Sequence, residues 1–217
     1  KTYWTFSAWV KKTGLATSGD ERMNGIYTAG NDGLTNSSGN SDAILGLSFY
    51  ANHLYLNSQT TNMINQTSVE RRDPSAWFHV VLSANNGAGL CYIDGVQEVS
   101  FNYDGGADTA WNGTSYYQYV GTRRAGNADY HFDGYIAEMI MISHSSNAAV
   151  LTPTSFGETK NGVWVPKDVS GLSNKDFYLK FENASDLGND SSGNNRDFTA
   201  VNMGTDHQVL DSPTYGV

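Results

Sequence analysis

The chain has 217 residues, 39% of them hydrophobic and only 16% charged, with 23 glycines against 4 prolines and a formal charge of −9. Such a length and apolar content allow one large β-sandwich with a substantial core. The acidic balance argues against nucleic acid or an anionic membrane as the main partner, since both demand clustered Lys and Arg, and leaves bound cations and neutral glycans compatible. No apolar run is long enough to span a bilayer, and the single cysteine, Cys91, reads as a small core residue.

In chain order, Trp4 to Val10 alternates with period two, placing Trp4, Phe6, Ala8 and Val10 on one face of a strand. Residues 11–43 are polar and Gly-rich, with Gly25 to Thr28 as a short strand candidate. Ile44 to Tyr50 and His53 to Asn57 read as the next hairpin, and Arg71 to Pro74 as a turn. The densest signal follows. Trp77 to Ser83 alternates, Asn86-Gly87 and Asp94-Gly95 mark tight turns that need positive φ, and Leu90 to Val99 supplies the strands between and after them. Phe78, Val80 and Leu82 share one face of the first strand; His79 falls on the other, expected to be its polar side.

After a loop from Asn102 to Ser115, Tyr117 to Gly121 reads as a strand with Tyr117 and Tyr119 on the same face. Tyr130 to Ile142 is a long strand region with a bend expected at Asp133-Gly134. A short helical turn is expected within Ser145 to Phe156. Phe177 to Glu182 alternates again, before a polar loop from Asp186 to Arg196. With no internal repeat, no linker and no long amphipathic helix, residues 1–217 are read as one all-β domain: a two-sheet antiparallel jelly-roll sandwich.

Several phrases in order then carry a resemblance: Thr5-Phe6-Ser7-Ala8-Trp9-Val10-Lys11-Lys12, Arg72-Asp73-Pro74-Ser75-Ala76-Trp77-Phe78-His79, and Asp133-Gly134-Tyr135-Ile136-Ala137-Glu138. Further on come Ser155-Phe156-Gly157-Glu158, Gly162-Val163-Trp164-Val165-Pro166-Lys167, Asp190-Ser191-Ser192-Gly193-Asn194 and Gln208 to Thr214. Together they resemble the concanavalin A-like (laminin-G/pentraxin type) jelly-roll domains of marine bacteriophage structural proteins. The resemblance implies a virion location, on a phage tail fibre or capsid surface, and other virion subunits as partners, with a homotrimer expected. It also implies that the chain is part of a longer protein.

The superfamily contains glucanases, and glycoside hydrolysis needs two carboxylates facing one bond. No strand carries a Glu-x-Asp-x-x-Glu pattern; Glu138 is alone in its strand and Glu182 precedes a loop. The five histidines (His53, His79, His131, His144 and His207) show no metal-ligand spacing, and no nucleophile elbow or phosphate loop is present. The chain is therefore expected to be no enzyme. The candidate glycan site is Trp111, Asn112, Tyr116 and Arg123, since sugar C–H faces pack on aromatic rings while Asn and Arg fix hydroxyls. The candidate metal site is Asp186, Asn189, Asp190 and Asn194, whose hard oxygens at close spacing suit Ca²⁺, although Asx turns produce the same loops without metal. The expected role is adhesion to a bacterial surface glycan, with neither nucleic acid binding nor membrane insertion. The alternatives are a purely structural virion module that spaces, caps or decorates the particle, and, less favoured, a polysaccharide depolymerase.

Overall fold

A computed structural model describes residues 2–15, 24–30, 43–58, 63–102, 116–123 and 130–213. Among these residues thirteen strands run in order: β1 (Tyr3–Lys12), β2 (Asn24–Gly30), β3 (Ala43–Tyr50), β4 (His53–Ser58), β5 (Met63–Gln66), β6 (Phe78–Asn85) and β7 (Ala88–Ile93). They continue as β8 (Val96–Asn102), β9 (Tyr117–Val120), β10 (Gly134–Ser143), β11 (Gly157–Lys160), β12 (Val163–Pro166) and β13 (Lys175–Leu179). A six-stranded antiparallel sheet has the order β13-β10-β1-β6-β7-β8, and a five-stranded one the order β5-β4-β3-β2-β9. The expected two-sheet jelly-roll sandwich is therefore present, and among the described residues no helix is long and apolar enough to cross a membrane.

The inner faces follow from alternation. Trp4, Phe6, Ala8 and Val10 of β1 and Phe78, Val80 and Leu82 of β6 meet Tyr27, Leu47, Phe49, Leu54 and Leu56 of the opposite sheet in one core. Phe6 stacks on Tyr27 at 5.2 Å, and Phe49 meets Phe78 edge-on at 5.8 Å. Cys91 lies in this core, where burial pushes its thiol up to about 12. The turn dipeptides do what their chemistry predicts: Asn86 and Gly87, and Asp94 and Gly95, all take positive φ and close β6-β7-β8 into a meander.

Four features differ from the sequence reading. β2 extends over Asn24–Gly30 and β13 stops at Leu179. The irregularity in β10 falls at Glu138 rather than at Asp133-Gly134: the pairing runs Ser7↔Ile140 and then Trp9↔Ala137, so Ala8 faces two residues, and Glu138 takes φ +52°. The third difference is an unforeseen hairpin, β11-β12, closed by Asn161-Gly162 with positive φ at both residues. The fourth explains the first strands' burial. Residues 144–172, with this hairpin and two 3₁₀ turns (147–149 and 153–155), lie over the outer face of the six-stranded sheet. There Val81, Ile140, Ile142 and Tyr178 pack against Phe156 and Val169 as a second core, so most of β1 and β6 and the second half of β10 are buried on both faces.

Candidate functional site

The expected glycan segment is only partly reunited. Trp111 and Asn112 lie outside the described residues. Tyr116 is half-buried and packs against the main core. The strand after it does place Tyr117 and Tyr119 on one face. Tyr27 and Ala29 point into the core opposite Val120 and Gln118, with the Tyr27 hydroxyl donating to Gln118 Oε1 at 2.8 Å; Tyr117 and Tyr119 therefore face outward. Tyr117 is 54% exposed. Arg123 is buried just beyond, its N–H donating to the Tyr130 carbonyl at 3.0 Å. Gly25 permits this approach, since a Cβ there would lie 2.2 Å from the Arg123 nitrogen. The guanidinium bears on Tyr55, whose phenol is raised by burial and drawn partly back by that charge.

The Asp186–Asn194 loop is organised by one carboxylate. Asp190 Oδ1 accepts from the N–H groups of Tyr178 (2.8 Å) and Ser192 (2.9 Å), and Oδ2 from the Ser192 hydroxyl (2.7 Å) and the Arg196 N–H (3.0 Å). All four acceptor positions are filled. Burial raises the Asp190 carboxyl, but these donors outweigh it and hold it below its ordinary value. Asn194 turns its amide toward the Asp176 carbonyl at 3.3 Å, while Asp186 and Asn189 are exposed. Ca²⁺ takes 6–8 oxygens, and this set does not fit it: its buried carboxylate already ties the loop to β13. Among the described residues no group of three His, Cys, Asp or Glu is arranged to hold a metal.

The outer face of the six-stranded sheet carries chemistry that the sequence reading passed over. His79 does face away from the main core, yet it is fully buried under the 144–172 layer rather than on a polar surface. Its ring stacks on Trp9 at 4.7 Å and lies 6.1 Å from Trp164 of β12. Trp164 Nε1–H donates to His79 Nδ1 at 3.0 Å; because indole has no acceptor, Nδ1 carries no proton, and Nε2–H donates to Ser7 Oγ at 2.8 Å. Burial pushes this imidazole down to about 3. Beside Trp9 a cleft of about 10 Å³, room for about one water, is lined by Ser7, Glu138, Ile140, Pro166 and Lys167 among others. The bulge turns Glu138 to this side, where the Tyr178 hydroxyl donates to Oε2. Burial raises the Glu138 carboxyl despite that bond. Two residues along the same face, Lys11 pairs with Tyr135, whose ring lies 6.4 Å from that of Trp77. The sequence signal for this cluster is one acid inside the apolar run Tyr135 to Ile142, next to a phrase rich in aromatics.

Two packed antiparallel sheets define a β-sandwich module. The chain belongs to the Laminin_G_3 family, the concanavalin A-like lectin/glucanases superfamily, whose family model matches residues 1–150. No curated protein matches the sequence. Among solved structures it is similar to a Bacteroides ovatus protein provisionally described as carbohydrate binding (TM-score 0.55, 13% identity, 88% of this chain and 50% of that one). It is also similar to domain 4 of AbnA, a GH43 extracellular arabinanase from Geobacillus stearothermophilus, in complex with arabinotriose (TM-score 0.46, 19% identity, 70% of this chain and 64% of that one). A third likeness is to a Trypanosoma rangeli sialidase (TM-score 0.44, 17% identity, 64% of this chain and 20% of that one). The chain thus spans about half the length of the first of these and a fifth of the last. At such identities the likeness is one of fold.

Proposed function

We propose that this domain is a non-catalytic glycan-binding module of a virion appendage, displayed on a bacteriophage tail or capsid surface and adhering to a bacterial surface glycan. The observation that carries the reading is the outward pair Tyr117 and Tyr119 on β9, with Tyr117 54% exposed beside the Arg123 turn. Rings in that setting offer apolar faces to sugar C–H groups on an otherwise polar surface. The fold likeness to a protein described as carbohydrate binding supports the reading by analogy alone. The virion setting rests on the ordered phrases from Thr5 to Thr214 that resemble phage structural domains. Absence of catalysis is supported by the cleft beside Trp9, where Glu138 is the only acid among the lining residues, whereas glycoside hydrolysis uses two.

A second reading, a structural module that contacts other virion subunits or assembles as a homotrimer, is favoured by the exposed apolar residues Val201, Met203 and Leu210, the last 93% exposed. One experiment separates the two. The purified domain is measured against a panel of bacterial surface glycans, with Ca²⁺ and again with a chelator. Selective binding, weakened roughly tenfold (about 1.4 kcal/mol) by Tyr117→Ala and by Trp111→Ala with the fold unchanged, is the expected result. Binding that vanishes on chelation would bring calcium back into the account. Failure to bind any glycan in either condition overturns the reading in favour of the structural module.

A further inference from the structure

The cover over the six-stranded sheet is an excursion that leaves and returns at one place. Ser143, the last residue of β10, donates its N–H to the Asn174 carbonyl at 3.3 Å, one residue before β13 begins. Between these two points β11 and β12 pair only with each other among the described residues, so the excursion adds no strand to either large sheet. Beyond His144, whose N–H meets the Tyr3 carbonyl at 2.9 Å, side chains hold it down. Ser83 Oγ donates to the Leu151 carbonyl at 2.7 Å, the Leu151 N–H donates to Thr5 Oγ1 at 3.1 Å, and Trp164 Nε1–H donates to His79 Nδ1 at 3.0 Å. Phe156 and Val169 add apolar contact with Val81, Ile140 and Ile142. Lifting the hairpin therefore breaks no ladder hydrogen bond of the two large sheets, which is the setting for local opening.

Of these three ties, the one to Trp164 depends on a proton. An indole N–H can only donate, so the bond exists only while Nδ1 keeps its lone pair; a proton there sets two N–H groups face to face. The groups packed on the ring are uncharged: Ser7 and Trp9 of β1, Trp164 of β12, and Phe156. The charged groups around them have other partners. Asp94 accepts the His79 backbone N–H at 2.7 Å, and Glu158 pairs with Lys160 at 3.1 Å. Lys167 donates to the Thr154 carbonyl at 3.2 Å, and Glu138 receives the Tyr178 hydroxyl. Among the described residues no ion pair reaches the His79 ring. His144, at the root of the excursion, differs: its Nε2 lies 2.8 Å from Thr5 Oγ1. Burial lowers that imidazole but the Asp176 charge draws it partway back, so a proton on His144 has a counter-charge and one on His79 has none.

We propose that this excursion is an acid-released flap: a proton taken up by His79 breaks its bond with Trp164, and the β11-β12 hairpin lifts from the outer face of the six-stranded sheet, baring Val81, Ile140 and Ile142. The inference is independent of the glycan-binding reading. In the closed form burial holds the ring neutral, whereas the lifted form opens it to water, where an imidazole titrates near 6.5. Proton uptake therefore favours the lifted form below about pH 6.5 and has no effect well above it. Glu138 acts in the opposite sense, because burial favours its protonated form and so favours closure as pH falls.

The test is amide hydrogen exchange of the full chain at about pH 7.5 and 5.5, corrected for the intrinsic pH dependence of exchange, with the His79 ring followed by ¹⁵N NMR. At the higher pH the ring should carry its proton on Nε2 alone. At the lower pH the 157–166 amides should open several-fold more often, up to about tenfold for His79 acting alone. The β6 amides should stay slower than those of the hairpin at both pH values. His79→Gln, whose carboxamide oxygen still accepts from Trp164, should lose the pH response, and His144→Gln should keep it. A proton on Nδ1 in the parent overturns the proposal whether or not either variant folds. So do an unchanged hairpin rate at the lower pH, equal rates in the hairpin and β6, and a response that disappears in His144→Gln instead.

Discussion

His79 shows how far a single residue's surroundings can depart from its neighbours in sequence. Folded, its imidazole stays neutral until about pH 3, whereas in the unfolded chain it takes up a proton near 6.5. Its contribution to stability is complete above pH 6.5 and is lost as pH falls from there toward 3. Glu138 works with the opposite sign: its carboxyl is raised from 4.5, so its contribution is present below that value and fades as pH rises through the folded titration. Urea unfolding of the parent should therefore show a steep fall in stability between pH 6.5 and 4, and His79→Gln, weaker at pH 7, should flatten that fall. An unchanged slope would mean that His79 is solvated. The sequence does reveal that His79 turns away from Phe78, Val80 and Leu82. Its burial was not legible, because the layer that covers it comes from residues 144–172, far along the chain.

At the level of elements, two pieces hold the outer layer and the last strand in place. The β11-β12 hairpin is fastened by Trp164, which donates to His79 and lies over Gly157, where a Cβ would come within 2.5 Å of the indole. Trp164→Ala should remove about 3 kcal/mol of stability, read as a lower denaturation midpoint, and should make the 157–166 amides exchange faster than those of β1. Equal exchange in both would show that the hairpin is held by something else. In the 186–197 loop, Asp190→Ala deletes four accepted hydrogen bonds and should remove about 3 kcal/mol. A similar loss after chelation of the parent would instead point to a metal. This loop was the least decidable from sequence: alternating Asp, Ser and Asn oxygens serve equally to wrap an ion or to collect backbone N–H groups, and only the positions of Tyr178 and Arg196 distinguish the two. The strands were far plainer. Period-two alternation in β1 and β6 and the Asn-Gly and Asp-Gly turns each express a local rule, whereas the bulge at Glu138 depends on how β10 meets β1.

Across the whole molecule, the family match ends at residue 150, but the six-stranded sheet does not. β13 supplies its edge through pairing with Met139 to Ile142, and residues 151–172 complete the cover over Val81 and Ile140. A fragment of residues 1–150 should therefore bind a hydrophobic dye and aggregate, while the chain through Ser212 stays monodisperse by light scattering; a well-folded, dye-silent fragment would make the last third an ornament. The position of β1 has a further consequence, in time. Trp4 pairs with Ala84 on one side and Ser143 on the other, so β1 leaves the ribosome long before β10 and gains its second neighbour only after β10 follows. Until β10 has been synthesised, a stripe of Trp4, Phe6, Ala8 and Val10 waits half-paired. Chains dominated by such distant pairings fold in roughly milliseconds to seconds, and refolding yield should decline with protein concentration as that waiting strand finds other copies of itself.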